Sequence, residues 1–392
     1  MSDALADAGA RPPTEGTGAG TGAASGTASG TAAREAGARR VSPRRLALGA
    51  LGALGVAALF YLPVLLTERA LFGVPLSNMQ LLGLGLSQIN LMLISMLGAL
   101  SLNYLTGCAG LISIGHAAFY AAGAMTAAVF GTQAGLPFPL VLVAAAAAGA
   151  ALGVLAGLPS LRVHGLYFVL STMAVHYVVL FVFLEYQFRV FDVVGIPFGT
   201  PSLFGFELNT PGRWYFFLLA LVAVVYAGLS ATLRTREGRA LLAMRDNERA
   251  AVSAGVDVRV LRIKAFALSS AIAAVAGALY AHYLSNATAE NFGIGFAIQF
   301  IAMIIVGGMG SLAGALIGAA VWLLLPSVLA GFAAEVGPLP GLLGSVLNEH
   351  RAQFVQLLFG LLVIVLLIFA PGGLAGLGRQ LRDLLSPRGR AP

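Results

Sequence analysis

The sequence predicts an all-α polytopic membrane protein of about ten transmembrane helices with both chain ends in the cytoplasm. Three observations carry that expectation. Charged residues make up 10% of the 392-residue chain and hydrophobic ones 58%, whereas soluble domains carry roughly 25% charge. The apolar residues fall in long runs, and crossing a hydrocarbon core about 30 Å thick takes about 20 residues of helix. The runs are continuous in Leu, Ala, Val and Gly rather than alternating. They therefore fit helices and not barrel strands, the two solutions that satisfy a backbone in lipid.

In chain order, residues 1–43 are Ala, Gly, Thr and Ser with scattered charges and no apolar period. They read as a disordered cytoplasmic tail. A signal peptide would place its apolar stretch within the first 30 or so residues. Arg39, Arg40, Arg44 and Arg45 stand before the first span, the membrane domain covers 44–378, and 379–392 form a basic cytoplasmic tail. The expected spans are about 46–66, 81–104, 113–131, 138–158, 165–184, 214–233, 264–284, 295–310, 311–330 and 352–370. The third, eighth and ninth are Gly-rich and open to being short, broken or re-entrant.

The basic residues fix the orientation. With the N-terminus inside, only Arg69, Arg189, Arg213 and Arg351 of the 23 Lys and Arg fall outside, while Asp and Glu divide nearly evenly. That is the positive-inside asymmetry. Two outer segments, 185–213 and 331–351, are rich in Gly and Pro. They read equally well as caps that touch a soluble partner or as simple connectors. Trp214 and Tyr215 fall where an interfacial aromatic belt is expected.

Several chemistries are excluded. The single cysteine, Cys108, rules out an intrachain disulfide and a Cys-based metal cluster. No histidine pair has ligand spacing, so no metal and no cofactor is expected. The net charge of +7 follows from topology and not from a nucleic-acid partner; the surrounding partner is membrane lipid. The only lysine, Lys264, follows Leu261-Arg262-Ile263 and precedes Ala265, so it is not the lysine of a phosphate-binding loop. ATP hydrolysis, if it drives transport, belongs to another chain, and this one is not an enzyme. Ser113 and His116 share a possible helix face, but no acid orients them. Ion-coupled carriers usually place ionisable groups inside the membrane; here His116 and His176 are the main ones, more simply read as structural.

Candidates for a translocation pathway are Ser113, His116 and Thr172, together with Gly307, Gly308 and Gly310 of the run Gly307-Gly308-Met309-Gly310-Ser311. For each hydroxyl, a bond within its own helix competes with substrate contact. The glycines permit close helix approach or a helix break at a cavity.

The longest inside loop, 234–264, is not random linker. Leu241, Leu242, Met244, Ala251, Val252 and Val256 recur near helical spacing, Asp246 or Asn247 could cap a short helix, and Gly255 would end it. Such a helix suits docking into a groove of a soluble partner, or lying on lipid headgroups. Glu248-Arg249-Ala250-Ala251, followed by Gly255, resembles the Glu-Ala-Ala…Gly coupling motif of bacterial ABC-importer permeases, with Arg249 replacing the first alanine. Residues 238–255 are similar to the loop of branched-chain amino acid permeases of the LivM type. So are Ser101-Leu102-Asn103-Tyr104-Leu105-Thr106-Gly107, the stretch Gly110 to Phe119, Ala276 to Ala281, Val306 to Gly314, and Phe354 to Leu374.

The resemblance covers about residues 80–378. It implies an inner-membrane permease that pairs with a second homologous permease subunit, two cytoplasmic ABC ATPases and a periplasmic substrate-binding protein. It implies a substrate among the branched-chain amino acids, or alternatively urea, a short amide or another small acid. Arg245, Asn247, Glu248, Ala250, Ala251 and Gly255 are the residues it assigns to ATPase coupling, with Glu248 expected in nothing stronger than an exposed ion pair. A stand-alone carrier or channel is the rival class, disfavoured by the coupling-type loop.

Overall fold

The computed structural model describes residues 70–71, 74–75, 85–162, 165–191, 195–203, 205–335, 351–369 and 372–377. The expected first span, both tails and positions 336–350 lie outside the described residues. Two-residue strands β1 (Ala70–Leu71) and β2 (Val74–Pro75) pair antiparallel ahead of the helices.

Helix α1 covers Leu86–Leu102 and runs on as a π-helical turn through Cys108; α2 covers Ala117–Ala127 and likewise continues as a π turn to Gln133. Then follow α3 (Phe138–Gly157), α4 (Leu166–Phe191) and α5 (Pro211–Arg234). Two short helices, α6 (Arg236–Asp246) and α7 (Glu248–Ser253), precede α8 (Val258–Leu284), α9 (Ile294–Gly307), α10 (Leu312–Glu335) and α11 (Arg351–Phe369). Among the described residues, seven helices are long and apolar enough to cross a membrane, and α2 is not one of them.

The expected third span, 113–131, thus begins late, at Ala117, and runs on to Gln133. Irregular chain at 109–116 leads into α2, and ten of its eleven residues are buried. A helix enclosed by protein need not match the bilayer thickness, and non-helical backbone at depth is tolerated when protein covers it.

Several other spans exceed their expected limits, α8 and α4 by the most. Helix α8 starts at Val258 because Asp257 accepts from the N–H groups of Arg259 and Val260 at 3.1 and 3.3 Å. Helix α4 extends to Phe191, its last turns carrying a Glu185–Arg189 pair at 2.5 Å.

Helix α8 packs most extensively on α3 and then on α2. Small residues make this possible. Gly149, Gly153 and Gly157 lie four apart on α3, and a Cβ on each would press on Ala274, Ser270 and Phe266 in turn, also four apart on α8. On α2, a Cβ at Gly123 would overlap the Ala274 carbonyl.

The far end of α8 is closed differently. There β3 (Ile196–Pro197) pairs antiparallel with β6 (Asn286–Ala287), while β4 (Ser202–Leu203) and β5 (Phe206–Glu207) form a hairpin. The Phe198 N–H donates to the Ser285 carbonyl and the Ala289 N–H to Gln187 Oε1, at 3.1 and 3.0 Å. The 185–213 segment is therefore tied to the bundle rather than looping free.

Candidate functional site

The chain between α5 and α8 is built from three consecutive N-caps. Thr235 leaves α5 in extended geometry, and its Oγ1 accepts from the Gly238 N–H at 3.1 Å, starting α6. Asn247 ends α6 and its Oδ1 accepts from Ala250 N–H at 3.1 Å, starting α7. Gly255, at φ +82°, ends α7 in the left-handed region that glycine tolerates without strain. Asp257 then caps α8. The sequence offered Asp246 or Asn247 as the cap and Gly255 as the stop; the structure uses Asn247, while Thr235 and Asp257 carried the same Thr/Asp signal before a helical pattern and were missed.

Burial divides the expected coupling residues. Leu241, Met244 and Ala251 face inward, with Ala251 only 4% exposed. Arg249, Ala250 and Val252 face outward, and Asn247, Glu248, Arg249 and Val252 line an open groove. Ala251 therefore seats α7 on its own chain.

Glu248 also departs from expectation. Its Oε2 accepts from Arg262 Nη2 at 2.5 Å, and the Arg262 side chain is 8% exposed against 39% for Glu248. Arg262 Nη1 donates to the Ser160 carbonyl at 2.6 Å. One buried guanidinium thus joins α7, the base of α8 and the turn between α3 and α4. The reason lies in the early start of α8, which turns Arg262 from a loop residue into a buried helical one. On the solvent side Lys264 pairs with Glu237 at 2.5 Å, both more than half exposed.

Arg245 points away from the groove. Its Nη1 donates to the Gly107 carbonyl at 2.6 Å, at the end of the π turn that closes α1. Gly307, Gly308 and Gly310 form the turn between α9 and α10. Gly308 and Gly310 have φ +110° and +83°, and a Cβ on Gly307 would overlap the Gly314 carbonyl. These glycines close a helix hairpin beside Arg245.

Ser113, His116 and Thr172 are 1%, 1% and 3% exposed, so this chain's own helices enclose them. His116 Nε2 lies 2.8 Å from Ser101 Oγ, and Thr172 Oγ1 donates to Val169 O at 2.8 Å, within its own helix. A Cβ on Gly115 would overlap the Thr172 carbonyl, which ties the start of α2 to α4. Sequence reasoning passed over Asn103, which the fold brings to Gly310 and Ser311, and Arg262, which it brings to Ser160.

Residues 84–371 match the family described as the branched-chain amino acid transport system permease component. The chain belongs to that family. Its match to the LivM permease protein of the high-affinity branched-chain amino acid transport system of Escherichia coli K12 is 29% identical over 308 residues, covering 71% of this chain and 67% of that one. A probable LivM permease of Methanocaldococcus jannaschii is 28% identical over 240 residues, covering 60% and 67%. The galactofuranose transporter permease protein YtfT of Escherichia coli is 31% identical over 196 residues, about half of each chain. This permease is thus a multi-pass membrane protein, and the matched region contains the loop, its two arginine anchors and the α9–α10 turn.

Proposed function

We propose that this permease is the membrane-spanning subunit of an ATP-binding-cassette importer in the bacterial inner membrane, moving branched-chain amino acids or a related small polar solute. The loop between α5 and α8 faces the cytoplasm, where two ATPase chains bind below the membrane subunits. A second homologous permease completes the pathway, and a periplasmic binding protein delivers substrate at the opposite end. The observation that carries this reading is α7. It is capped at both ends, seated through Ala251 and Glu248, and leaves Arg249, Ala250 and Val252 exposed as one short ridge. Six residues are too few for a stable free helix, so a helix held rigid and outward suits insertion into a partner groove.

Residue assignments follow from burial. Arg249 and Val252 contact the ATPase, Asn247 and Gly255 shape the helix, and Ala251 and Glu248 hold it in place. The Val252 side chain, 56% exposed, offers the direct test. Val252→Asp should leave membrane abundance unchanged while the ATPases no longer co-purify and ATP-dependent uptake of radiolabelled leucine into vesicles is lost. Retention of both at normal abundance rejects α7 as the docking element and favours the lipid-surface helix. Failure of leucine, isoleucine and valine to compete for uptake rejects the substrate class.

A further inference from the structure

Arg245 sits in the coupling loop by sequence and is exposed as a residue, yet its guanidinium reaches across to the end of α1. The acceptor, Gly107 O, lies among the last carbonyls of α1 and its π turn, where a helix leaves main-chain acceptors without partners and carries partial negative charge. A charge-assisted N–H···O bond of 2.6 Å is of the stronger kind.

The socket around it is made of glycine. A Cβ on Gly110 (φ +74°) would come within 3.1 Å of Arg245 Cγ. A Cβ on Gly310 (φ +83°) would sit 2.5 Å from Arg245 Nη1 and 3.1 Å from Gly107 O. Any other residue at these positions meets both the arginine and a strained backbone. Asn103, fully buried, staples the two walls: its Oδ1 accepts from the Gly310 N–H and its Nδ2 donates to the Ser311 carbonyl, each at 2.9 Å.

One loop side chain therefore rests where the end of α1 meets the turn between α9 and α10. We infer that Arg245 is the positioning residue that passes displacement of the loop to α1 and the α9–α10 hairpin, a latch between the ATPase-docking helix and the moving part of the bundle. The inference rests on the importer reading above, and it separates docking, on α7, from transmission, through Arg245. Of the two anchors beneath α7, Arg262 comes from α8 and supports the loop from below. Arg245 belongs to the loop and moves with it.

The test is Arg245→Met, which keeps the length of the stem and removes every donor, in the assembled transporter reconstituted in liposomes. The ATPases should still co-purify, while solute transported per ATP hydrolysed falls roughly tenfold, the scale set by losing one charge-assisted hydrogen bond. Arg245→Lys, which restores a donor and a charge, should recover part of that ratio, an effect a purely steric role would not give. Should the Met variant not accumulate, Arg245→Gln takes its place under the same readouts. Normal solute per ATP in the variant overturns the latch, as does loss of the ATPases with no separate change in the ratio, which would make Arg245 a docking residue. Absence of ATPase co-purification with the unaltered chain would instead reject the importer reading itself.

Discussion

The end of the bundle that carries the loop and the end that carries β3 and β6 are secured by different chemistry. At the loop end, arginines reach carbonyls of distant segments: Arg245 to Gly107 and Arg262 to Ser160, and Arg262 also pairs with Glu248. At the other end, Phe183 stacks on Phe292 at 6.2 Å between ring centroids, and Tyr280 and Phe296 approach Phe292 at 5.8 and 5.6 Å. The β3–β6 ladder and the Gln187 bond to Ala289 add backbone ties. A point contact to a carbonyl can be released and remade with little repacking. Interlocked rings cannot shift without opening a void. On the import reading, the bundle is pushed where its contacts are few and discrete, and it pivots where they are distributed.

The comparison breaks first at Phe292, which is fully buried. Phe292→Ala leaves a cavity among three rings and should cost about 3–5 kcal/mol. A thermal melt of the purified protein should fall by many degrees, with reduced abundance in the membrane. A melt close to that of the unaltered chain would mean that the ring cluster is not what holds this end.

The smaller second effect is at the loop end. Glu248→Ala removes the carboxylate that meets the buried Arg262 guanidinium. Because Arg262 keeps the Ser160 carbonyl and Glu248 is 39% exposed, the expected cost is about 1.5–3 kcal/mol, below the range for a wholly buried pair. Glu248→Gln, which keeps an acceptor, should recover a good part of the lost stability. Equal losses in the two variants would show that the carboxylate charge, and not acceptance of the hydrogen bond, is what Arg262 needs.

How much of this was legible in the sequence follows from how local each signal is. The helices and the short helix before Gly255 depend on neighbours within a turn or two, so run length and cap residues announced them. The anchors depend on contacts across 138 positions for Arg245 and 102 for Arg262, which no local pattern encodes. For that reason Arg245 was grouped with the docking residues and Glu248 was expected to be an exposed partner. The burial of Ala251 was not legible either: a small residue in a coupling motif suits a partner's groove or its own chain equally, and the sequence does not say which face of α7 turns inward. The enclosed Ser113, His116 and Thr172 show the same limit, since a polar residue in an apolar run signals a need for partners without saying which.

The least effect belongs to the third charged contact of the loop end, and it marks the boundary of the comparison. Lys264 Nζ meets Glu237 Oε1 at 2.5 Å, but their side chains are 54% and 61% exposed. Water already solvates both groups, and ordering two long side chains offsets most of the attraction, so such pairs are worth about 0–1 kcal/mol. The geometry on paper matches that of Arg262 with Glu248; burial alone separates them. Lys264→Met should shift the thermal melt within that small range, and raising the salt concentration should shrink the difference between variant and unaltered chain further, since exposed charges are screened over roughly 10 Å at 0.1 M. The Glu248→Ala loss should be much less sensitive to salt, because Arg262 lies out of reach of the ions. If both losses responded to salt alike, burial would not be the quantity that distinguishes the two pairs, and the anchoring role given to Arg262 would fail with it.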